Sequence, residues 1–311
     1  MASERFGAKM RRKALGPTRV AIPEVGIGTW NYHAGPRPLR RGLESGALFI
    51  DTAESYGTED VVREAIAGMR DRVFIATKIS MEHLRAVDVR SSADASLKRL
   101  GVERIDLYQI HDPNPSIPIE ETMGAVAALV DAGKVQFVGV CNFSVAQLRE
   151  AQNALGKYPV ASSQVRYNVI DRSIEKDVLP HCQANAVTVI AYCPLGRGLD
   201  RISDCDPFGV VGQLARTLGK SPAQIVLNWC LCQDGVVVIP KGNSEEHILD
   251  NCGASDWRLT PEQRGLLDSN IKYRSRTGFD ALMRRYTPRG LEKLAVQAVK
   301  YLPRGLRRRI H

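Results

Sequence analysis

The 311-residue sequence contains no CxxC pair among its seven cysteines, and their odd number excludes a complete set of disulfides. Reduced thiols in a cytoplasmic protein fit this pattern best, and we expect no metal site. No apolar run approaches the ~20 residues that a membrane-spanning helix needs, since the longest extends only from Met123 to Val130. The first 15 residues, MASERFGAKMRRKAL, lack the apolar core of a secretory signal.

The overall composition is that of an ordinary globular protein. Hydrophobic residues make up 44% of the chain and charged residues 25%, which excludes wholesale disorder and fibrous or collagenous architectures. The length allows one large domain or two average ones, because α/β barrels run beyond about 200 residues as a single unit.

The net charge of +9 is distributed unevenly along the chain. Residues 1–19 carry a net +5, residues 272–311 a net +10 and residues 20–271 a net −6. We therefore divide the chain into a basic N-terminal arm that leads into the fold (1–19), a mildly acidic body (20–271) and a basic C-terminal extension (272–311). A basic pI usually indicates nucleic acid or an anionic surface as a partner, but here that indication applies only to the two ends.

Eight short apolar runs rich in β-branched residues recur along the body, with helical patterns between them. Such units predict parallel strands joined by helical crossovers, and eight of them predict a closed (β/α)8 barrel of the α/β class, formed by a single domain. The longer gap before the last run leaves room for an additional helix. The runs are 25–30, 47–51, 73–77, 105–110, 135–140, 159–165, 186–192 and 236–240.

Three helix starts are marked by capping residues. Ser144 with Gln147 has the spacing of a capping box, and Ser221-Pro222 and Thr260-Pro261 each place an N-cap before a proline. The alternative fold is an open doubly wound sheet, which carries GxGxxG after its first strand. Asn31 occupies the third glycine position of that pattern, so we interpret GIGTW as a barrel strand.

Four ionisable side chains follow three consecutive predicted strands, where the chemistry of a barrel is located. A lysine cation lowers the pKa of a tyrosine from its usual value of about 10, a buried aspartate holds the lysine, and a neutral histidine orients a carbonyl oxygen. Each residue alone is a common cap or loop residue, so the prediction of a general acid beside a carbonyl group rests on their joint occurrence. The four are Asp51, Tyr56, Lys78 and His111.

Seven segments of the body resemble the aldo-keto reductase family, in order and in register. They are GIGTW, FIDTAESYGTE, FIATK, SLKRLGVERIDLYQIH, GKVQFVGVCNFS, AYCPLGRG and IPKGNSEEHILDN, within about residues 14–268. The resemblance implies a (β/α)8 barrel that binds NADPH, commonly in preference to NADH, and reduces aldehydes and ketones to alcohols. It also implies that Tyr56 donates the proton, that Lys78 lowers the pKa of Tyr56 and pairs with Asp51, and that His111 orients the carbonyl.

The same resemblance implies the cofactor contacts. Asn142 and Gln164 are expected to contact the nicotinamide carboxamide, and Tyr192 offers the flat ring on which the nicotinamide stacks. A glycine-containing loop allows close approach to the pyrophosphate, and a lysine beside a helix start favours the adenosine-side phosphate. The expected contacts from pyrophosphate to adenine are Pro194, Leu195, Gly196, Gly198, Lys241, Ser244, His247 and Asn251.

Two positions depart from the family pattern. Cys141 stands where the family commonly has serine, which weakens one hydroxyl contact to the carboxamide. His247 stands where many members have an arginine that holds the 2′-phosphate bidentately, and a histidine adds charge only when protonated. NADPH is therefore the expected cofactor, with NADH as the alternative.

The substrate is expected to be a small-molecule carbonyl compound. Trp30 is expected to line the pocket, because the family places an aromatic residue there. Asp112 stands where several members have tryptophan. If its carboxylate faces the pocket, acidic substrates should be disfavoured, whereas as a turn initiator before Pro113 it would face solvent.

The extension 272–311 lies beyond the family pattern. Its segment 290–302 places Leu291, Leu294, Ala298 and Leu302 near one face of a helix. A helix docked on the barrel is the simplest interpretation, with a peripheral membrane or protein contact as the alternative. Nucleic acid is disfavoured, because aromatic residues make up only 6% of the chain and the body is acidic.

Two alternative functions stay open from the sequence. A nucleotide-binding regulatory or interaction subunit would keep the barrel and carry out little catalysis. A Schiff-base lyase would use Lys78 as its nucleophile, but Tyr56 beside it and the expected nucleotide contacts favour reduction.

Overall fold

The computed structural model describes residues 10–273, and eight parallel strands form the centre of this part of the chain. Each of the eight predicted runs overlaps one of these strands, so the predicted order is confirmed. Two further strands, β1 (Arg12–Ala14) and β2 (Ala21–Pro23), form a separate antiparallel pair. The eight parallel strands are β3 (Ile27–Gly28), β4 (Phe49–Asp51), β5 (Phe74–Ile79), β6 (Ile105–Ile110), β7 (Val135–Cys141), β8 (Val160–Arg166), β9 (Thr188–Tyr192) and β10 (Val236–Val238).

Strands β3 to β10 lie side by side in chain order. Backbone hydrogen bonds also join the two ends of this series. Gly26 N donates to the carbonyl oxygen of Val238 at 2.8 Å, and Val238 N donates to that of Glu24 at 2.9 Å. The predicted (β/α)8 barrel is therefore confirmed, and the open doubly wound sheet is wrong.

Helices follow the strands and pack on the outside of the barrel. Consecutive helices from the first to the fifth and from the eighth to the tenth contact one another, and the first helix contacts the tenth across the closure. The gap between β9 and β10 holds three helices, which accounts for its extra length. The helices are α1 (Pro36–Glu44), α2 (Glu59–Ala65), α3 (Ala86–Leu100), α4 (Ile119–Asp131), α5 (Val145–Leu155), α6 (Val178–Ala184), α7 (Leu199–Cys205), α8 (Val210–Leu218), α9 (Pro222–Leu231), α10 (Glu245–Cys252) and α11 (Pro261–Asn270).

The predicted capping residues begin their helices as expected. Helices α5, α9 and α11 start directly after Ser144, Ser221 and Thr260, and each cap oxygen accepts the backbone N–H three residues later. In all three, a glutamine at that third position bonds back to the cap residue, which completes a capping box.

An antiparallel hairpin of β1 and β2 covers the N-terminal ends of the barrel strands. Leu15 from its turn is fully buried among inward-facing residues of the barrel. Gly16 has a φ of +55°, and a Cβ there would lie 2.5 Å from the carbonyl oxygen of Ala161, so the close approach requires glycine. This hairpin is not among the predicted elements, and it includes residues on both sides of the predicted boundary at residue 19.

Lys13 of β1 fastens the hairpin to the end of α9. Its Nζ donates to the carbonyl oxygens of Leu231 at 2.7 Å, Gln233 at 2.9 Å and Val236 at 2.8 Å. Burial lowers the pKa of Lys13 to about 8. One end of the barrel is thus closed by the chain itself, and the opposite end, at the C-terminal ends of the strands, carries the predicted site residues.

Most of the two basic ends lies outside the described residues. Of the extension predicted over 272–311, only Lys272 and Tyr273 are described, and of the N-terminal arm only residues 10–19. Within residues 10–273, no helix combines the length and the apolar character that crossing a bilayer requires.

Candidate active site

Strained backbone marks the C-terminal end of the barrel. Among residues 10–273, six non-glycine residues have positive φ, and four of them lie in the loops that follow β3, β7 and β9. Such conformations cost about 1–3 kcal/mol each and persist where the surrounding structure holds them, which is common at functional sites. The four are Asn31, Asn142, Cys193 and Arg197.

Asp51 and Lys78 form a buried ion pair at this end. Lys78 Nζ donates to Asp51 Oδ1 at 2.5 Å and to the carbonyl oxygen of Thr52 at 2.8 Å. The two side chains are 3% and 0% exposed, respectively. Burial lowers the pKa of Lys78, but negative charge nearby, above all the Asp51 carboxylate to which Nζ donates, outweighs burial, so the pKa lies above its ordinary value. Lys78 is therefore a cation at neutral pH.

Two glutamine amides hold the second oxygen of Asp51. Gln164 Nε2 of β8 donates to Asp51 Oδ2 at 2.7 Å, and Gln109 Nε2 of β6 donates to the same oxygen at 3.1 Å. Gln164 Nε2 also donates to Gln109 Oε1 at 3.2 Å. Both carboxylate oxygens thus receive hydrogen bonds, as a buried charge requires.

Gln109 is a site residue that is absent from the predicted set. Leu107, two residues earlier in β6, belongs to the interior of the barrel. Side chains alternate along a strand, so Gln109 points inward as well. A polar residue at an inward position needs a polar partner, and this rule could have identified it from the sequence.

Tyr56 and His111 meet above the ion pair. Tyr56 ends a single turn of 3₁₀ helix after β4, and His111 directly follows β6. Tyr56 Oη lies 3.3 Å from His111 Nε2, and the ring centroids are 5.4 Å apart in an edge-to-face arrangement. Lys78 Nζ lies 4.8 Å from the centroid of the Tyr56 ring. The structure thus brings all four predicted residues, the tetrad Asp51, Tyr56, Lys78 and His111, into one cluster.

Two opposing effects act on the pKa of Tyr56. Burial raises it and the Lys78 cation lowers it, and burial is the larger effect, so the pKa lies above its ordinary value. The predicted influence of Lys78 is therefore present but outweighed. The hydroxyl is protonated at neutral pH, which is the state that a general acid needs.

Asn142, directly after β7, joins three loops through its side-chain amide. Its Nδ2 donates to Asp112 Oδ1 at 2.9 Å and to the carbonyl oxygen of His111 at 3.2 Å. Tyr192 Oη, at the end of β9, donates to Asn142 Oδ1 at 3.0 Å. Asp112 thus lies against Asn142, beside the tetrad, instead of pointing into solvent.

Cys141 belongs to the buried network and not to the open surface of the site. It is the last residue of β7 and is 1% exposed, with its Sγ 3.9 Å from Gln109 Oε1. Burial raises the pKa of this thiol well above its ordinary value. A protonated thiol is a weak donor, so Cys141 adds little to the hold on Gln109.

The loop after β9 is a series of tight turns. Gly196 N donates to the carbonyl oxygen of Cys193 at 3.0 Å, and Gly196, Arg197 and Gly198 have φ values of +64°, +72° and +148°. The two glycines carry no side chain, so a ligand can approach the backbone closely at Gly196 and Gly198. The loop contains the predicted residues Pro194, Leu195, Gly196 and Gly198.

This loop reaches across to the loop after β3. The Arg197 guanidinium lies 5.6 Å from the centroid of the Trp30 ring, and Trp30 is 50% exposed. Because β9 and β3 lie on either side of β10, the contact spans the region beyond the end of β10. Trp30 is therefore at the mouth of the barrel, as a pocket-lining residue would be.

The predicted phosphate contacts gather where β10 leads into α10. Lys241 and His247 are exposed, and Ser244 is the N-cap of α10, its Oγ accepting the backbone N–H of His247 at 3.2 Å. Asn251 is buried on the same helix. A helix N-terminus beside exposed basic side chains favours an anion.

Comparisons with known proteins agree with this arrangement. The sequence profile of the Aldo/keto reductase family matches residues 24–272. The chain is 34% identical over 259 residues to methylglyoxal reductase YeaE of Escherichia coli (strain K12), which covers 80% of this chain and 91% of that protein. It is 32% identical over 306 residues to aldo-keto reductase YhdN of Bacillus subtilis (strain 168), covering 82% and 92%.

Solved structures show the same likeness. An aldo/keto reductase from Klebsiella pneumoniae in complex with NADP and acetate superposes with a TM-score of 0.78 at 33% identity, covering 86% of this chain and 98% of that one. The chain belongs to the aldo/keto reductase family. It is thus an oxidoreductase of a family whose general reaction is carbonyl reduction.

Proposed function

We propose that the chain is an NADPH-dependent reductase of aldehydes or ketones in which Tyr56 donates the proton. The observation that carries the proposal is the single cluster of Tyr56, His111 and the Lys78–Asp51 ion pair at the open end of a family barrel. Methylglyoxal is the first substrate to test, because it gives the relative YeaE its name.

The residues at this end fit a nicotinamide dinucleotide by their chemistry. The partly buried ring of Tyr192 and the amide oxygen of Asn142 lie beside the tetrad, the loop 193–198 offers close backbone approach, and Lys241 lies near the start of α10. Gln164 uses its amide nitrogen inside the barrel, which leaves its carbonyl oxygen for a ligand. When bound there, NADPH supplies a hydride to the carbonyl carbon.

In this proposal, Tyr56 and His111 contact the carbonyl oxygen of the substrate, and Tyr56 protonates it. Tyr56 Oη and His111 Nε2 are 3.3 Å apart, so one carbonyl oxygen can contact both. The tyrosine proton passes to that oxygen as negative charge develops on it, a contribution of about 10²–10⁴-fold in rate. The Lys78 cation, 4.8 Å from the ring, stabilises the tyrosinate that remains.

The preference for NADPH over NADH rests on the exposed Lys241 and the N-terminus of α10 near Ser244. His247 contributes charge only when protonated, so the preference is smaller than an arginine at this position would give. NADH is the second cofactor to test.

The Schiff-base alternative conflicts with the state of Lys78. A nucleophilic lysine has to be neutral, whereas the Asp51 carboxylate holds Lys78 as a cation and its Nζ donates to two oxygens. A regulatory subunit that only binds the nucleotide needs no catalytic acid. All four residues of the tetrad are present and in contact, which supports catalysis.

Two measurements on the wild-type protein test the proposal. Titration with NADPH and NADH is followed by the fluorescence of tryptophan, since Trp30 lies at the mouth of the barrel. Consumption of NADPH is then followed by its absorbance with methylglyoxal and with neutral, anionic and cationic aldehydes. We expect tighter binding of NADPH than of NADH, and turnover that requires the carbonyl compound. Tight binding of NADPH without any turnover would instead support the alternative of a nucleotide-binding regulatory subunit.

A further inference from the structure

We propose that Asp112 is a positioning residue that locks the side-chain amide of Asn142, so that Asn142 offers a bound ligand a hydrogen-bond acceptor and no donor. The proposal rests on the NADPH site proposed above, because the ligand group concerned is the carboxamide of the nicotinamide. It assigns to Asp112 a task in cofactor recognition instead of a contact with the substrate.

The orientation of the Asn142 amide follows from the chemistry of its neighbours. Asp112 Oδ1 lies 2.9 Å and the carbonyl oxygen of His111 3.2 Å from one end of the amide. A carboxylate and a carbonyl oxygen can only accept, so the end that faces them has to be the NH₂ group. The reversed amide would place an oxygen against two acceptors.

The locked amide has a defined remaining capacity. The two N–H groups of Nδ2 are matched by the two acceptors, and Tyr192 Oη donates to Oδ1 at 3.0 Å. One lone pair of Oδ1 is left for a ligand. Asn142 can therefore receive an amide N–H from a carboxamide but cannot donate to the carboxamide oxygen.

The backbone keeps Asn142 in place for this role. Its φ is +62°, a left-handed conformation that asparagine tolerates better than most residues, and its backbone N–H donates to the carbonyl oxygen of Gln164 at 3.0 Å. With the backbone held, rotation of the amide is the main freedom left to the side chain. The charged acceptor Asp112 is the stronger of the two groups that prevent that rotation.

Without Asp112, the NH₂ end of the amide keeps only the longer bond to the carbonyl oxygen of His111. Tyr192 Oη does not fix the orientation, because a hydroxyl can donate to the amide oxygen or accept from the NH₂ group. An amide that turns over would present a donor as well as an acceptor, and the site would lose part of its preference for a ligand N–H. The effect of removing Asp112 should therefore depend on whether the ligand carries the carboxamide NH₂ group.

The test compares two ligands that differ in this group alone. NADP⁺ carries the carboxamide, and its 3-acetylpyridine analogue has a methyl group in place of the NH₂. In the wild type we expect NADP⁺ to bind more tightly than the analogue, because its NH₂ group can donate to Asn142 Oδ1 and to the side-chain carbonyl oxygen of Gln164. Asp112→Ala should weaken the binding of NADP⁺ about 5- to 10-fold, the worth of one hydrogen bond, and change that of the analogue by less than about 2-fold, so that the discrimination falls by about the same factor.

Two further variants make the result specific. Asp112→Asn keeps an acceptor oxygen without the charge and should restore most of the discrimination. Asp94→Ala removes an aspartate whose side chain is 54% exposed on α3, and both affinities should stay at the wild-type values. Melting temperatures of all variants report whether the fold is intact.

The possible failures are distinguishable. If the wild type binds and discriminates the two ligands but Asp112→Ala weakens both equally or neither, the role assigned to Asp112 is overturned and the proposed function stands. If the wild type binds neither ligand, the proposed cofactor site is overturned, and this inference with it.

Discussion

Lys78 Nζ lies 2.5 Å from Asp51 Oδ1 in the interior of the barrel, with both side chains almost completely buried. The same distance separates Lys134 Nζ from Asp94 Oδ1 on the surface, where the side chains are 42% and 54% exposed. The two pairs share this distance and differ in solvation. They therefore form a matched comparison of what burial adds to an ion pair.

Lys78→Met should destabilise the protein far more than Lys134→Met. Removing Lys78 leaves Asp51 as an unpaired buried charge, and we expect the free energy of unfolding to fall by about 3–5 kcal/mol. The exposed pair should contribute less than about 1 kcal/mol. Denaturant unfolding of both variants measures the difference, and equal losses would contradict a structural role for the buried pair.

Gln109→Leu should reduce turnover without unfolding the barrel. The substitution removes the donor to Asp51 Oδ2 at 3.1 Å, and Gln164 alone then holds this oxygen, so the carboxylate is held less firmly beside Lys78. We expect kcat to fall about 10-fold, equivalent to about 1.4 kcal/mol of activation free energy. Gln183→Leu, on the exposed end of α6, is the control and should retain wild-type kcat. Unchanged kcat in Gln109→Leu would remove Gln109 from the site.

The ionisation of Tyr56 can be observed directly. Burial raises its pKa above the ordinary value of about 10 despite the cation of Lys78. In an alkaline titration, the difference in tyrosinate absorbance between wild type and Tyr56→Phe should therefore develop above pH about 10. Removing the cation in Lys78→Met should shift it further upward. An ionisation well below pH 10 in the wild type would show that Lys78 outweighs burial.

His247→Arg should sharpen the preference for NADPH. An arginine in the first turn of α10 places a permanent cation beside Ser244, where we propose the 2′-phosphate lies. We expect the Kd for NADPH to fall about 10-fold and the Kd for NADH to stay within about 2-fold. His181→Arg on α6 controls for the added charge. Equal tightening for both nucleotides would place the 2′-phosphate elsewhere.

The barrel was predictable from the sequence because its strands and helices are marked by short, local sequence patterns. Each strand is a short apolar run, and caps such as Ser144 form their hydrogen bonds within one helical turn. The tetrad was predictable because consecutive parallel strands end on one side, which brings Asp51, Lys78 and His111 together. The barrel and the tetrad were thus predicted from the order of the strands and from the spacing of apolar residues, and a single sequence contains both.

The remaining features depend on contacts between distant segments. From the sequence, Lys13 is assigned to a basic N-terminal arm. In the structure its ammonium group donates to three carbonyl groups that lie more than 200 residues away along the chain. The bond from Gln164 to Asp51 crosses the interior between strands that are not neighbours. The direction of Asp112, toward Asn142, depends on where β7 ends relative to β6. Such long-range side-chain contacts depend on how the barrel packs, and no short sequence pattern predicts them.

The most direct test of the account is the turnover of Tyr56→Phe compared with Tyr158→Phe. Each substitution removes one phenolic hydroxyl, from the tetrad in the first case and from a surface contact with Asp131 in the second. With an established carbonyl substrate and NADPH, we expect Tyr56→Phe to bind NADPH with wild-type affinity and to lose at least about 10²-fold in kcat. Tyr158→Phe should retain wild-type kcat. Undiminished reduction by Tyr56→Phe would contradict its role as the proton donor.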